Sequence, residues 1–281
     1  LAAERNYSKA QNNLGVAFEN GIGVLVDFEK AVYWYRRAAE NGEPLAQMSL
    51  ANMLHRGDGT VTDLKEAFHW YQLAAENGLE TSKFHLAYAL MNGEGTEIDA
   101  QKSVGIFQEL AESGDALAQL NLGISYRTGT GVEKDLKQAL HWFKCAADQH
   151  LPAGQFNLGL CYILGQGVPE NMKTAAEWHE KAAKQGNRQA QFCVGLFYFS
   201  GQGLELDVSK AVTFWQLAAR QGDNAAKSYL AGCLFHGVGV NKNEKKAMSL
   251  VEETAQAGDS YGQYLLGWAF SVGVGVNVDP E

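Results

Sequence analysis

Residues 10–42 read AQNNLGVAFENGIGVLVDFEKAVYWYRRAAENG, a stretch that spells two helices and two stops. Ala10, Leu14 and Phe18 stand at i, i+4 and i+8, one face of an amphipathic helix, which predicts a helix A over about residues 8–20. Gly21 and Gly23 end it, since glycine reaches positive φ without a Cβ clash. Asp27 is placed to cap the next helix by accepting backbone N–H bonds. A helix B then runs over about residues 27–40, with Phe28, Ala31, Trp34, Tyr35 and Ala38 turned inward, and Asn41-Gly42 closes it.

The same hairpin returns along the whole chain. The Gly21/Gly23 doublet recurs at 36-residue steps, eight times in all, down to Gly273/Gly275. The position of Leu14 is Leu50, Leu86, Leu122, Leu158, Val194, Leu230 and Leu266 in turn, and the next residue is always glycine or alanine. Asp27 recurs as Asp63, Asp99, Asp135, Asn171, Asp207, Asn243 and Asp279. Trp34 recurs as Trp70, Ile106, Trp142, Trp178, Phe214 and Leu250. Pro44 and Pro152 begin two of the A helices, where proline removes no helical hydrogen bond. One hairpin cannot bury its apolar face, whereas stacked neighbours can. The small column at Gly15 lets helices approach, and the Trp34 column is expected to fill the space between hairpins. Residues 1–281 therefore read as a single all-α array with eight A helices and seven complete B helices. Leu1-Ala2-Ala3-Glu4 is in phase with Arg37-Ala38-Ala39-Glu40, and the chain stops at Asp279-Pro280-Glu281, on the cap of another helix B. These ends read as cuts within a longer array, with end-to-end self-association an expected hazard. Two local departures stand out. Gly105-Ile106 is expected to make the softest helix, and His150, in a glycine column, a locally altered turn.

Composition narrows the function. A net charge of −9 argues against nucleic acid as partner, which needs a basic footprint. No apolar run reaches the ~18 residues of a membrane span, so direct membrane insertion is not expected of this segment. The Gly-x-Gly doublets follow helices and lack a third glycine, so they read as turns and no nucleotide cofactor is expected. Cys145, Cys161, Cys193 and Cys233 read as small buried thiols, with a Cys145–Cys161 bridge conceivable across a turn. His141 and Cys145 stand at i, i+4, but no second pair has metal spacing nearby, so no metal is expected.

The pattern Ala10-Gln11, Leu14-Gly15, Gly21-Ile22-Gly23-Val24, Asp27-Phe28-Glu29-Lys30-Ala31, Trp34-Tyr35, Ala38-Ala39-Asn41-Gly42 resembles the Sel-1-like repeat, a relative of the tetratricopeptide repeat. The resemblance covers the chain in eight phases and implies a right-handed α-solenoid of helix-turn-helix repeats acting as a protein–protein interaction scaffold. It implies no catalytic centre. Some relatives have been described as penicillin-binding or β-lactamase-like, a chemistry that usually needs Ser-x-x-Lys, and no Ser-x-x-Lys occurs in the chain. A β-lactam-binding or hydrolysing enzyme is thus one alternative, and a structural spacer within a larger protein another. The resembled family includes secreted members with a cysteine pair in each repeat, a regularity absent here.

The resemblance also points to a partner surface. On helix A the columns of Asn12, Val16 and Glu19, with Asn13 and Asn20 beside them, lie opposite the stacking columns, and the same offsets in tetratricopeptide relatives face the concave groove. In this chain they carry Phe84, Tyr88, Asn121, Arg127, Phe156, Asn157, Leu160, Phe192, Leu196, Phe199, Tyr264 and Trp268, the residues expected to hold a protein or peptide. Aromatics would supply desolvation and the amides would fix a peptide backbone, with Phe84, Tyr88, Leu160 and Phe199 as the floor. The competing reading buries this stripe between successive A helices, and relative exposure separates the two.

Overall fold

A computed structural model describes Ala3 and residues 7–274, and among these the chain is helical with no strand. It divides into two compact units, Leu1–Asp135 and Leu136–Glu281. The first holds α1 (Ser8–Asn20), α2 (Phe28–Glu40), α3 (Pro44–Arg56), α4 (Leu64–Glu76), α5 (Glu80–Asn92), α6 (Ala100–Glu112) and α7 (Ala116–Thr128). The second holds α8 (Leu136–Asp148), α9 (Pro152–Leu164), α10 (Met172–Lys184), α11 (Arg188–Ser200), α12 (Val208–Arg220), α13 (Asn224–His236), α14 (Glu244–Gln256) and α15 (Ser260–Val272). Odd-numbered helices are the A helices and even-numbered ones the B helices. Within each unit every helix packs on the one before and the one after, the stacking of an α-solenoid.

The glycine doublets do two different jobs. The first glycine is a left-handed C-cap, as at Gly21, where φ is 70°. The second is also left-handed and, from Gly59 to Gly239, is pressed against the preceding repeat. A Cβ at Gly59 would lie 2.3 Å from the Phe28 carbonyl carbon, and one at Gly95 only 2.0 Å from the Leu64 oxygen. The second glycine is thus the point where one hairpin's turn seats on the first residue of the previous helix B. Each B helix starts where its cap allows: Asp27, Asp63, Asp99, Asn171, Asp207 and Asn243 each accept from the backbone N–H three residues on, at 2.9–3.0 Å. Several A helices are capped as well. Asp115, Asn187, Asp223 and Asp259 cap α7, α11, α13 and α15 in the same way, and where Glu43 and Leu151 stand instead, Pro44 and Pro152 occupy the first turn.

The core sits one residue away from the column expected to fill it. Trp34, Trp142, Trp178 and Phe214 are only half-buried, with Trp70 the buried exception, while the next column, Tyr35, Tyr71, Phe107, Phe143, His179, Trp215 and Val251, is buried throughout. These rings continue the Ala31/Ala38 stripe by i+4 and i+7 steps, whereas the Trp34 column lies ~100° off it and ends at the margin. The small column of helix A is the other half of this contact. A Cβ at Gly159 would lie 2.2 Å from the His179 ring, and one at Gly195 2.2 Å from Trp215 Nε1.

A second buried column is polar. Gln47, Gln155 and Gln191 each donate from Nε2 to a carbonyl at the end of the preceding helix B, Ala39, Ala147 and Ala183, and Gln11 donates likewise to Ala3 O, at 3.0–3.4 Å. Their Oε1 atoms accept from Asn41, Asn77, Gln185 and Gln221, at 2.8–3.0 Å. Gln47, Gln155 and Gln191 each tie three consecutive helices together, and all four buried amides are satisfied at both ends. The exceptions change together. Lys83 and Lys227 replace the glutamine and pair with Glu109 at 3.3 Å and Glu253 at 2.7 Å, and in the same repeats Ser113 and Ala257 stand in the column of the amide donor.

His150 takes the glycine conformation, with φ 62°, and its turn is unaltered, contrary to expectation. His150 N–H donates to Ala147 O and Leu151 N–H to Ala146 O, the bonds that Gly42 and Glu43 make to Ala39 and Ala38. All four cysteines are thiols, so the Cys145–Cys161 bridge does not form. Ala3 stands toward Gln11 as Ala39 does toward Gln47. The remaining residues of the aligned start, and Asp279-Pro280-Glu281, lie outside the described residues.

Candidate functional site on the A helices

In the first unit, Phe84, Tyr88, Asn121 and Arg127 lie on α5 and α7. Phe84 is half-buried, its ring 5.6 Å from the core ring of Phe107. Tyr88 is 44% exposed. Asn121 Nδ2 donates at 2.8 Å to Leu117 O, one turn back on its own helix. Phe84 and Tyr88 form one wall of a cleft of about 280 Å³ between α3 and α5. Its floor is Tyr71, whose ring stacks on His85 at 4.8 Å and whose hydroxyl donates to Asn52 Oδ1 at 2.7 Å. Its rim is polar: His55 Nε2 sits 3.0 Å from Glu94 Oε2, with the Arg56 guanidinium beside them. Burial, and then the nearby His55 and Arg56, push the His85 pKa below the usual histidine value.

In the second unit, Phe156 lies half-buried over His179, the rings stacked at 5.1 Å. Asn157 is buried and its Nδ2 donates to Ala153 O at 2.8 Å. One N–H of this amide is thus spent within its own helix, as at Asn121. Leu160 and Leu196 are half-buried. Phe199 is 41% and Tyr264 65% exposed. Phe192, Phe199 and Tyr264 belong to an aromatic run that the sequence columns did not join up, and Trp268 packs apart from it. Phe199 meets Trp215 at 5.3 Å, Trp215 meets Tyr229 at 5.0 Å, and Phe192 meets Tyr229 at 5.6 Å. Tyr229 meets Tyr261 at 4.9 Å, Tyr261 stacks on Tyr264 at 6.1 Å, and Trp268 lies 5.4 Å from Phe235. Trp215 comes from a B helix and Tyr261 from the first turn of α15, so only the fold brings them to this face.

The groups weighed for chemistry remain isolated. His141 Nε2 and Cys145 Sγ are 3.8 Å apart, and among the described residues no three potential metal ligands cluster. Burial raises the Cys145 and Cys233 thiols, and burial with Asp223 nearby raises Cys193 to about 11, the opposite of an activated nucleophile. No helix among the described residues is long and apolar enough to cross a membrane.

The chain matches the Sel1 repeat model over residues 8–43, 44–79, 82–115, 116–151, 152–187, 188–223, 225–259 and 260–281, and it belongs to the Sel1 repeat family. It is similar to a Sel1 repeat protein from Oxalobacter formigenes, at 32% identity and TM-score 0.82 over 94% of this chain and 77% of that one. It is also similar to c5321, a protective antigen present in uropathogenic Escherichia coli strains, at 31% identity and TM-score 0.70 over 99% of this chain and 67% of that one. No curated protein matches the chain. Sel1 repeat proteins are generally protein-interaction scaffolds, and the fold is typically non-catalytic.

Proposed function

We propose that this chain is a scaffold that holds a partner protein or peptide on the face of its A helices. The observation that carries this reading is the exposure of large aromatic side chains on that face, Tyr88, Phe199 and Tyr264, beside clefts of side-chain size. Exposed rings next to desolvated pockets are the usual hot spots of protein interfaces. The scaffold needs no nucleophile, metal or cofactor, only rigid helices that keep the clefts open. Affinity capture from the native host, with Tyr88→Ala and Phe199→Ala beside Tyr33→Ala on helix B as control, tests the reading. A partner lost from either A-helix variant and retained by the control supports it. A partner retained by both, or lost only from the control, overturns it.

A further inference from the structure

The polar cleft above Tyr71 has a counterpart four repeats later. His55, Tyr71, His85, Tyr88 and Glu94 line the first; Phe199, Trp215, Tyr229, Gly232 and Val238 occupy the same columns and line the second, about 150 Å³ in volume, with Cys233 and Tyr261 completing it. Two polar rim groups of the first are replaced by apolar ones, His55 by Phe199 and Glu94 by Val238, and Arg56 gives way to the uncharged Ser200. No aspartate, glutamate, lysine or arginine lines the second cleft, and His236 is its one basic side chain.

The opening itself traces to Gly232. Its column otherwise carries Val16, Asn52, Tyr88, Ile124, Leu160, Leu196 and Trp268, so a side chain is missing only here. Packing does not demand the glycine. A Cβ at Gly232 would meet nothing nearer than the Tyr261 hydroxyl at 3.2 Å, the free end of a ring, unlike Gly159 and Gly195, where ring atoms of His179 and Trp215 stand at 2.2 Å. The residue lies inside α13, where glycine weakens a helix relative to alanine. What the glycine leaves is a hole walled by Phe199, Trp215, Tyr229 and Tyr261.

Resting on the scaffold reading, we infer that this hole is an anchor pocket for one leucine or methionine side chain of a bound peptide. With no carboxylate in the lining for a basic anchor and only His236 for an acidic one, a charged anchor would lose its hydration with little counter-charge in return, which favours an apolar one. The two preceding repeats show which side chain suits the column, for Leu160 and Leu196 occupy it. A partner's leucine would take the place that this chain fills for itself one and two repeats earlier.

A random-peptide phage library selected on the full chain tests this. The expected result is a family of peptides sharing a leucine or methionine, whose replacement by alanine weakens binding roughly tenfold or more. Gly232→Leu, which fills the hole from within, is expected to weaken binding by a similar factor while the melting temperature holds or rises. Gly232→Ala is expected to weaken it less, and keeps the test valid should the leucine variant fold poorly. Peptides indifferent to both glycine variants but weakened by Tyr88→Ala would overturn the pocket and leave the scaffold reading standing. Peptides anchored by a charged side chain would overturn the pocket's chemistry. Failure to select any peptide sensitive to Gly232→Ala, Gly232→Leu, Tyr88→Ala or Phe199→Ala would overturn the scaffold reading and the pocket with it.

Discussion

Acid is expected to loosen this protein at His179. The ring is fully buried, stacked 5.1 Å from Phe156 and tilted 5.7 Å from Phe197. A carbonyl only accepts, so the 3.2 Å contact to Phe156 O requires the proton on Nε2, the role Trp215 Nε1 plays toward Phe192 O one repeat later. Nδ1 is then a bare acceptor, buried without a partner. Burial drives the His179 pKa from 6.5 down to about 4, against a smaller upward push from the Phe156 carbonyl. The folded pKa is depressed, so between those values the unfolded chain binds the proton and the folded one does not. Stability is complete above the unfolded pKa and is lost as pH falls from 6.5 toward 4. At about 1.4 kcal/mol per pKa unit, the loss from this one group is about 3 kcal/mol. Phenylalanine fits the column, since Phe107 and Phe143 occupy it in other repeats. Urea titrations near pH 7 and near pH 4 should therefore show a His179→Phe variant losing about 3 kcal/mol less than the parent on acidification. Native-state hydrogen exchange should place the difference in α9 and α10, because a repeat array can open locally. Equal acid sensitivity in the two proteins, within about 0.5 kcal/mol, would refute the reasoning.

Three other substitutions test the stacking. Gly95→Ala should cost at least about 2 kcal/mol more than Gly78→Ala in a thermal or urea melt, because both residues have positive φ but only Gly95 abuts Leu64 O. Gln47→Ala should cost about 2–4 kcal/mol by removing bonds to Ala39 O and from Asn77 Nδ2, and the triple change Gln47→Lys, Leu73→Glu, Asn77→Ser, copied from Lys83, Glu109 and Ser113, should recover much of it. Gly105→Ala should stabilise α6 by about 1 kcal/mol, since its Cβ would meet nothing within 4 Å, and slower amide exchange in α6 would register it.

Helix positions were legible because glycines, caps and apolar spacing are local signals, and α1 and α2 fall where residues 8–40 place them. The stacking contacts were less so. The Trp34 column attracts attention by size, yet the Tyr35 column is central because only it continues the alanine stripe. A glutamine reads as surface in a sequence, and Gln47 becomes core only when stacking brings Ala39 O to one end of its amide and Asn77 to the other. The linked change to Lys83, Glu109 and Ser113 is the trace this network leaves in the sequence. At the candidate site, Phe199 and Tyr264 were readable from one helix face, whereas Trp215 and Tyr261 join them through packing. Gly232 was visible as the gap in its column, but only the surrounding rings make that gap a pocket.

The most direct test of the helix-A face as the working surface is amide hydrogen exchange of the full chain with and without a selected peptide. Slowed exchange concentrated in A helices, with α13 the strongest, is the predicted footprint. Slowed exchange confined to B helices such as α2 or α4 would contradict the account.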